Sequence, residues 1–282
     1  MDPATAVVTG LAVLGSKDVL VKLLGPTADY VGGEIKNFVQ KCNINLDNIF
    51  RNATQKLGPE LLNQPGGVNA RVLKHVVDEG RFCEDELTAE YYGGILASAR
   101  TVEGRDDRGV TLLAVVKDLS VYQLRFHFLA YSLVNQHFRG QQHNLGDANE
   151  CHKLKMYIPI DVYEEAMAFS PSEDKHAILG HTLYGLSKHG LIRDFSSGTA
   201  EFLQKKCKYI EEFGVTFSPT LPGAELFLWA VGLQGASGKE LLSAEVVGAP
   251  EEFKLIEGAT SIEKMKAEGK AKEGEQPPER DK

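Results

Sequence analysis

Apolar residues recur at three- and four-residue spacing through almost all of the first 118 residues, and glycine or proline stops each run. That spacing aligns side chains on one helix face, so this stretch is committed to helices that each bury a stripe. Lys17 to Leu24 is a short run stopped by Gly25-Pro26, and Thr27 to Lys41 restarts it with Tyr30, Val31, Glu34, Ile35, Phe38 and Val39. Leu46, Ile49, Phe50 and Ala53 repeat the stripe; Gly58-Pro59 and Gln64-Pro65-Gly66-Gly67 mark the connection that follows. Val72, Leu73, Val76 and Val77 form the next stripe, with Gly80 where a C-terminal cap glycine belongs.

Residues 84–100 open on Glu84, Asp85 and Glu86, where a helix dipole favours carboxylates, and close on Arg100, where it favours a cation. Leu87, Tyr91 and Ile95 line one face while Ala89, Tyr92, Leu96 and Ala99 line another, so the second half is expected to be buried on more than one side. Gly93-Gly94 costs helix propensity, about 1 kcal/mol each relative to alanine. Close approach of neighbouring helices is the expected return. Glu84, Asp85, Glu86, Tyr91 and Tyr92 are the candidate protein-contact residues; the three carboxylates read as a solvated, dipole-matched face rather than a cation site.

From Leu119 the character changes. Ser120 with Gln123 has capping-box spacing and opens a helix to about Phe138, with Val121, Leu124, Phe128, Tyr131 and Asn135 on one side. Arg139 to Lys153 is a polar loop, Lys155 to Ile158 a short strand and Pro159 to Phe169 a short helix. Ser170-Pro171-Ser172-Glu173 is a second capping box, opening a helical region that ends at His189-Gly190. A β-branched strand then leaves that glycine, Val215 to Phe217 returns, and Thr220 caps a closing helix. This is the order of a winged helix, with Gly198 near the turn of a long wing and Thr199 to Phe213 a helical segment inside it. The expected fold is mainly α: an N-terminal helical bundle over 1–118, then a winged-helix-like region with a small β element over 119–257.

With those elements in place the chain resembles the Abi-alpha (abortive infection alpha) proteins of bacteria. The resemblance is carried by Gly25 to Glu34 with its following helix, by Val72 to Val77 and by Glu84 to Ala99. Asp118-Leu-Ser120, Gly190-Leu-Ile192 and Thr220-Leu-Pro-Gly223 continue it, and it covers roughly residues 16–235. Where that family has a large polar or aromatic pair, this chain has Gly93-Gly94. The resemblance implies a role in bacterial defence against phage, without an established catalytic site.

Charge separates the classes of partner. The net charge is −8, which argues against a surface given over to nucleic acid as a whole. By segment, residues 1–118 carry 13 basic and 16 acidic side chains, 119–257 carry 12 and 17, and 258–282 carry 6 and 6. The last segment is too polar to offset its ordering entropy and is expected to be a disordered charged tail, with a short helix around 260–268 as the alternative. Lys175, Lys188, Arg193, Lys205, Lys206 and Lys208 stand against only Asp194 and Glu201, a local charge of +4 that makes them the nucleic-acid-binding candidates. The helix Ala177 to Lys188 holds no Arg, Asn or Gln to read base edges, so any such binding would be weakly sequence-specific.

Candidate chemistry is sparse. There is no phosphate-cradling glycine loop, and Gly185-Leu-Ser187-Lys-His-Gly190 misses the nucleophile-elbow spacing by one residue. Ser187 reads as a polar helix position and His189 as a C-terminal cap. His137, His143, Cys151 and His152 crowd one loop without a zinc spacing, and His176 and His181 do not share a helix face. No catalytic residue, metal or cofactor is expected. Cys42, Cys83, Cys151 and Cys207 are isolated, as buried thiols in a reducing compartment are. The apolar run Ala4 to Leu14 is too short to span a bilayer and lacks a secretory n-region, so the expected location is cytoplasmic. The expected function is a non-enzymatic phage-defence protein acting through protein contacts of the helical region, with a protein partner or self-association. The alternative is a nucleic-acid-binding regulator that uses the basic wing.

Overall fold

The computed structural model describes residues 44–83, 85–246 and 257–275, so the expected helices of residues 17–41, Cys42 and Glu84 lie outside the described residues. The chain is mainly helical with a small sheet. It divides into two units that differ from the segments read from sequence. The first takes the chain to Leu124 with Glu225–Ser237 and Val246; the second takes Arg125–Ala224, Gly238–Glu245 and the C-terminal stretch.

In the first unit α1 (Ile44–Asn63) is broken at Gly58, whose φ of 66° suits a residue without Cβ, and Pro59 starts the second piece where its missing N–H costs nothing. A two-residue ladder joins β1 (Gly67–Val68) to β2 (Arg100–Thr101). Between them run α2 (Ala70–Gly80) and α3 (Glu86–Ser98). Asn69 caps α2 and Asp85 caps α3, each side chain accepting a backbone N–H from the first turn. Gly80 does not end α2 as a left-handed cap. It stays within the helix, where a Cβ would lie 2.6 Å from Ile49 Cδ1, so close packing is what requires glycine.

Every residue from Tyr91 to Arg100 is buried, as the two apolar faces of α3 predict. A Cβ on Gly93 would meet Asn52 Cβ at 2.7 Å and the Ile49 carbonyl at 2.8 Å, and one on Gly94 would collide with the Ala230 carbonyl. The glycine pair therefore lets two neighbours reach the α3 backbone. α4 (Arg108–Asp118) follows, and the Ser120–Gln123 capping box closes reciprocally at the start of α5 (Val121–Phe138).

The second unit begins within α5. After α6 (Ala148–Lys153) come β3 (Met156–Pro159), α7 (Ile160–Met167), α8 (Lys175–Lys188), β4 (Ile192–Gly198), α9 (Ala200–Leu203), β5 (Gly214–Pro219) and the start of α10 (Leu221–Ala230), which from Glu225 belongs to the first unit. α10 is capped by Thr220, whose Oγ1 accepts the Gly223 N–H at 3.1 Å. α8 starts four residues later than the Ser170 box predicts: Glu173 does bond back to the Ser170 N–H, but Asp174 caps the helix through the His176 and Ala177 N–H groups. The expected helical segment Thr199 to Phe213 is helical only over α9, after which turns take over.

The sheet is antiparallel in the order β4-β5-β3-β6, where β6 is Thr260–Ser261. Met156 pairs with Phe217 and Ile158 with Val215, and this face meets Phe126 of α5, which packs edge-on against Phe217 and Tyr163. Tyr157 and its partner Thr216 point the other way.

Here β6 runs directly into α11 (Ile262–Glu275), so over these residues the short-helix alternative holds in place of the expected tail, and the helix is longer than 260–268. Ile262 and Met265 pack with Tyr157, Leu203, Cys207, Tyr209 and Ile210 over that second face. One apolar residue per turn suffices here, because the rest of the cluster comes from β3 and the α9 segment.

Candidate functional site

The six basic candidates do not form one surface of equals. Lys175 lies 2.5 Å from Glu164 and is neutralised. Lys188 is exposed at the end of α8. Arg193 sits on the Tyr157 face of the sheet, opposite Ser218, with its Nη2 donating to the Ala148 carbonyl at 3.2 Å, so it serves structure first. Lys205, Lys206 and Lys208 are exposed after α9. Lys205 stands 5.5 Å above the Phe202 ring and Lys208 4.9 Å above that of Tyr209.

Two lysines outside that run join it. Lys155 precedes β3 and donates to the Asp194 carbonyl at 2.7 Å. Its half-buried ammonium is pushed below the usual lysine value, first by lost solvation and then by the positive charge of Lys206, with Lys266 of α11 adding to it; Asp194 opposes them. The arrangement ties the elements together: the Ile262 N–H donates to the Lys155 carbonyl at 2.8 Å, and Cys207 and Met265, the neighbours of Lys206 and Lys266, share one apolar cluster. The sequence window 175–208 contains neither Lys155 nor Lys266: the β3–β5–β4 pairing brings Lys155 to Asp194, and the pairing of β6 with β3 brings in Lys266.

A second feature missed by sequence is the exposed face of α8. Leu179, Leu183 and Leu186 are buried, whereas Tyr184 is 72% exposed and packs edge-on against Phe195 of β4 at 5.1 Å. His181 and Lys188 are exposed one turn to either side. The available signal is a large aromatic side chain off the apolar stripe.

The acidic and aromatic candidates of α3 fare differently. Tyr91 and Tyr92 are buried, so they cannot serve as surface contacts in this fold, and the correction follows from the two-sided packing that Gly93-Gly94 permits. Asp85 is the α3 cap, bonding both the N–H and the Oγ1 of Thr88 at 2.8 Å, and Glu86 remains exposed. Beside them, Glu79, Phe82, Cys83, Thr88, Lys117 and Val121 border a cleft of about 380 Å³. Burial, with Asp85 and Glu79 adding negative charge, pushes the Cys83 thiol up to about 12, so it stays protonated rather than nucleophilic at neutral pH.

Each member of the polar loop has its own partner. His143 Nδ1 lies 2.9 Å from Glu150, Cys151 Sγ donates to the Leu145 carbonyl at 3.1 Å, and His152 Nδ1 lies 3.1 Å from Asp194. His137 is held below the usual histidine value, chiefly by burial. Ser187 and His189 take part in the C-terminal cap of α8, the Gly190 N–H donating to the Ser187 carbonyl and the His189 N–H to that of Gly185. Among the described residues no group of three acidic, histidine or cysteine side chains could hold a metal ion, and no helix is long and apolar enough to cross a membrane. No family model, curated protein or solved structure matches this chain.

Proposed function

We propose that the protein is a non-enzymatic phage-defence protein of the abortive-infection type that works by binding a protein partner, with a helical bundle in its first unit and a winged-helix-like module in its second. The biological half of this reading rests on the resemblance of residues 16–235 to the Abi-alpha proteins. The winged-helix half is supported by the order β3-α7-α8-β4-β5 and by the sheet order β4-β5-β3, in which the outer two strands flank the last. The observation that carries the binding mode is Tyr184: a large ring, mostly in solvent, braced by Phe195 on the helix that precedes the hairpin. Such rigid aromatic anchors dominate protein interfaces. Lys188 beside it favours a partner with an acidic rim.

The experiment is phage plating on cells that express the chain, across a diverse panel. Reduced plating of at least one phage is expected, and Tyr184→Ser should abolish the reduction while leaving the protein folded. Unchanged plating across the panel would sink the defence reading, and protection that survives Tyr184→Ser would remove α8 as the contact.

A further inference from the structure

We propose that Lys155, Lys206 and Lys266, with Phe202 beside them, form a surface that binds the phosphate backbone of a single-stranded nucleic acid. Three elements far apart in sequence deliver these lysines: the residue before β3, the turn after α9 and the second turn of α11. Neither Lys206 nor Lys266 forms an ion pair among the described residues. Lys155 is tied to a neutral carbonyl rather than to a carboxylate. Gathering like charges opposes folding, and a polyanion relieves that repulsion. The lysine positions are anchored, because Cys207 and Met265 beside them pack in one cluster and Ile262 is bonded to the Lys155 backbone.

The choice of a single strand over a duplex comes from the aromatic next to the lysines. Phe202 is 47% exposed and lies one turn before Lys206, with Lys205 over its ring. An exposed ring flanked by cations is a stacking platform for an unpaired base, whereas a duplex keeps its base faces to itself. The surface lies on the sheet face opposite Phe126, and it does not depend on the defence reading or on Tyr184.

The test is fluorescence anisotropy of the full chain with a short mixed-sequence DNA strand. Three phosphate contacts to a single strand predict that affinity falls about twentyfold between about 50 and 200 mM salt. The Lys206→Gln/Lys266→Gln double variant leaves one contact and should lose only about threefold over the same range. Lys155 is left in place because it holds Asp194. Both substituted side chains are exposed, so circular dichroism should be unchanged. Phe202→Ala should weaken binding about fivefold or more at fixed salt. No binding at low salt, an unaltered salt slope in the double variant, or displacement of the strand by equimolar inorganic phosphate overturns the proposal. Equal affinity for the matching duplex overturns the single-strand assignment. Binding by a chain that does not restrict phage would separate this surface from the defence reading.

Discussion

His127 is wholly buried on α5, and its Nε2 lies 3.1 Å from the Gly223 carbonyl. Burial outweighs that hydrogen bond and pushes the imidazole down to about 3, so at neutral pH the ring is uncharged and Nε2–H donates. In the unfolded chain the same group titrates near 6.5, so below that pH the unfolded state takes up a proton that the folded state refuses. The contribution is complete above pH 6.5 and is lost as pH falls toward 3, by on the order of 1 kcal/mol per pH unit. His127→Gln keeps a donor at the Nε2 position and removes the titration. Urea unfolding at pH 6.5 and 5.0 should show a smaller loss of stability in the variant than in the native chain; equal losses would show that His127 is not the group. Gly223 belongs to the same arrangement, since a Cβ there would strike the Tyr131 hydroxyl, which donates to the Leu191 carbonyl at 2.6 Å and accepts the Thr220 N–H at 2.9 Å. Nothing in the sequence distinguishes His127 from the exposed histidines, because the carbonyl it bonds is 96 positions away.

At the scale of elements, α3 tests how a helix tolerates two adjacent glycines. In an exposed helix, Gly→Ala adds about 1 kcal/mol of stability. Here the sign should reverse, because the space a methyl needs is taken by backbone: the Ala230 carbonyl at Gly94 and the Ile49 carbonyl at Gly93. Backbone yields less than a side chain, so Gly94→Ala is expected to cost about 1–3 kcal/mol and Gly93→Ala less, since its contacts are longer. Thermal melts should rank the native chain above Gly93→Ala and that above Gly94→Ala; a melt raised by Gly94→Ala would falsify the close approach. Elements of this kind were legible in the sequence where local chemistry decides them. The Ser120–Gln123 box, the Thr220 cap and the strands around Tyr157 and Thr216 stand where spacing predicts. Legibility failed where two local signals competed or where tertiary packing supplied the reason. Asp174 captured the start of α8 from Ser170, and Gly80 proved to be a packing glycine inside α2 rather than its stop.

At the scale of the whole molecule, neither unit is one continuous stretch, and the C-terminal stretch is where this matters most. Residues 258–282 balance 6 basic against 6 acidic side chains and hold few apolar ones, which by composition alone reads as tail. Composition scores a segment by what it can bury by itself, whereas Ile262 and Met265 complete a cluster already furnished by Tyr157, Leu203, Cys207 and Ile210. The same pairing brings Lys266 to Lys155 and Lys206, so the candidate anion surface was only half visible to a window running along the chain. Gly269 marks the fit further along α11, since a Cβ there would run into the Tyr209 ring. If this helix is a working part of the second unit, loosening it should uncover Cys207, now 2% exposed, while Cys151, wholly buried and bonded to the Leu145 carbonyl, stays covered. Ile262→Ser with Met265→Ser removes both anchors of α11 and leaves the charged face intact. In the native chain Cys207 should react with a thiol reagent only as fast as the unit unfolds. In the double variant it should react at least about tenfold faster, as a loss of roughly 1.4 kcal/mol or more of local protection requires. Peptide mapping of the label assigns the rate to Cys207. An unchanged rate would mean that α11 covers nothing, and would return residues 258–275 to the tail that their composition describes.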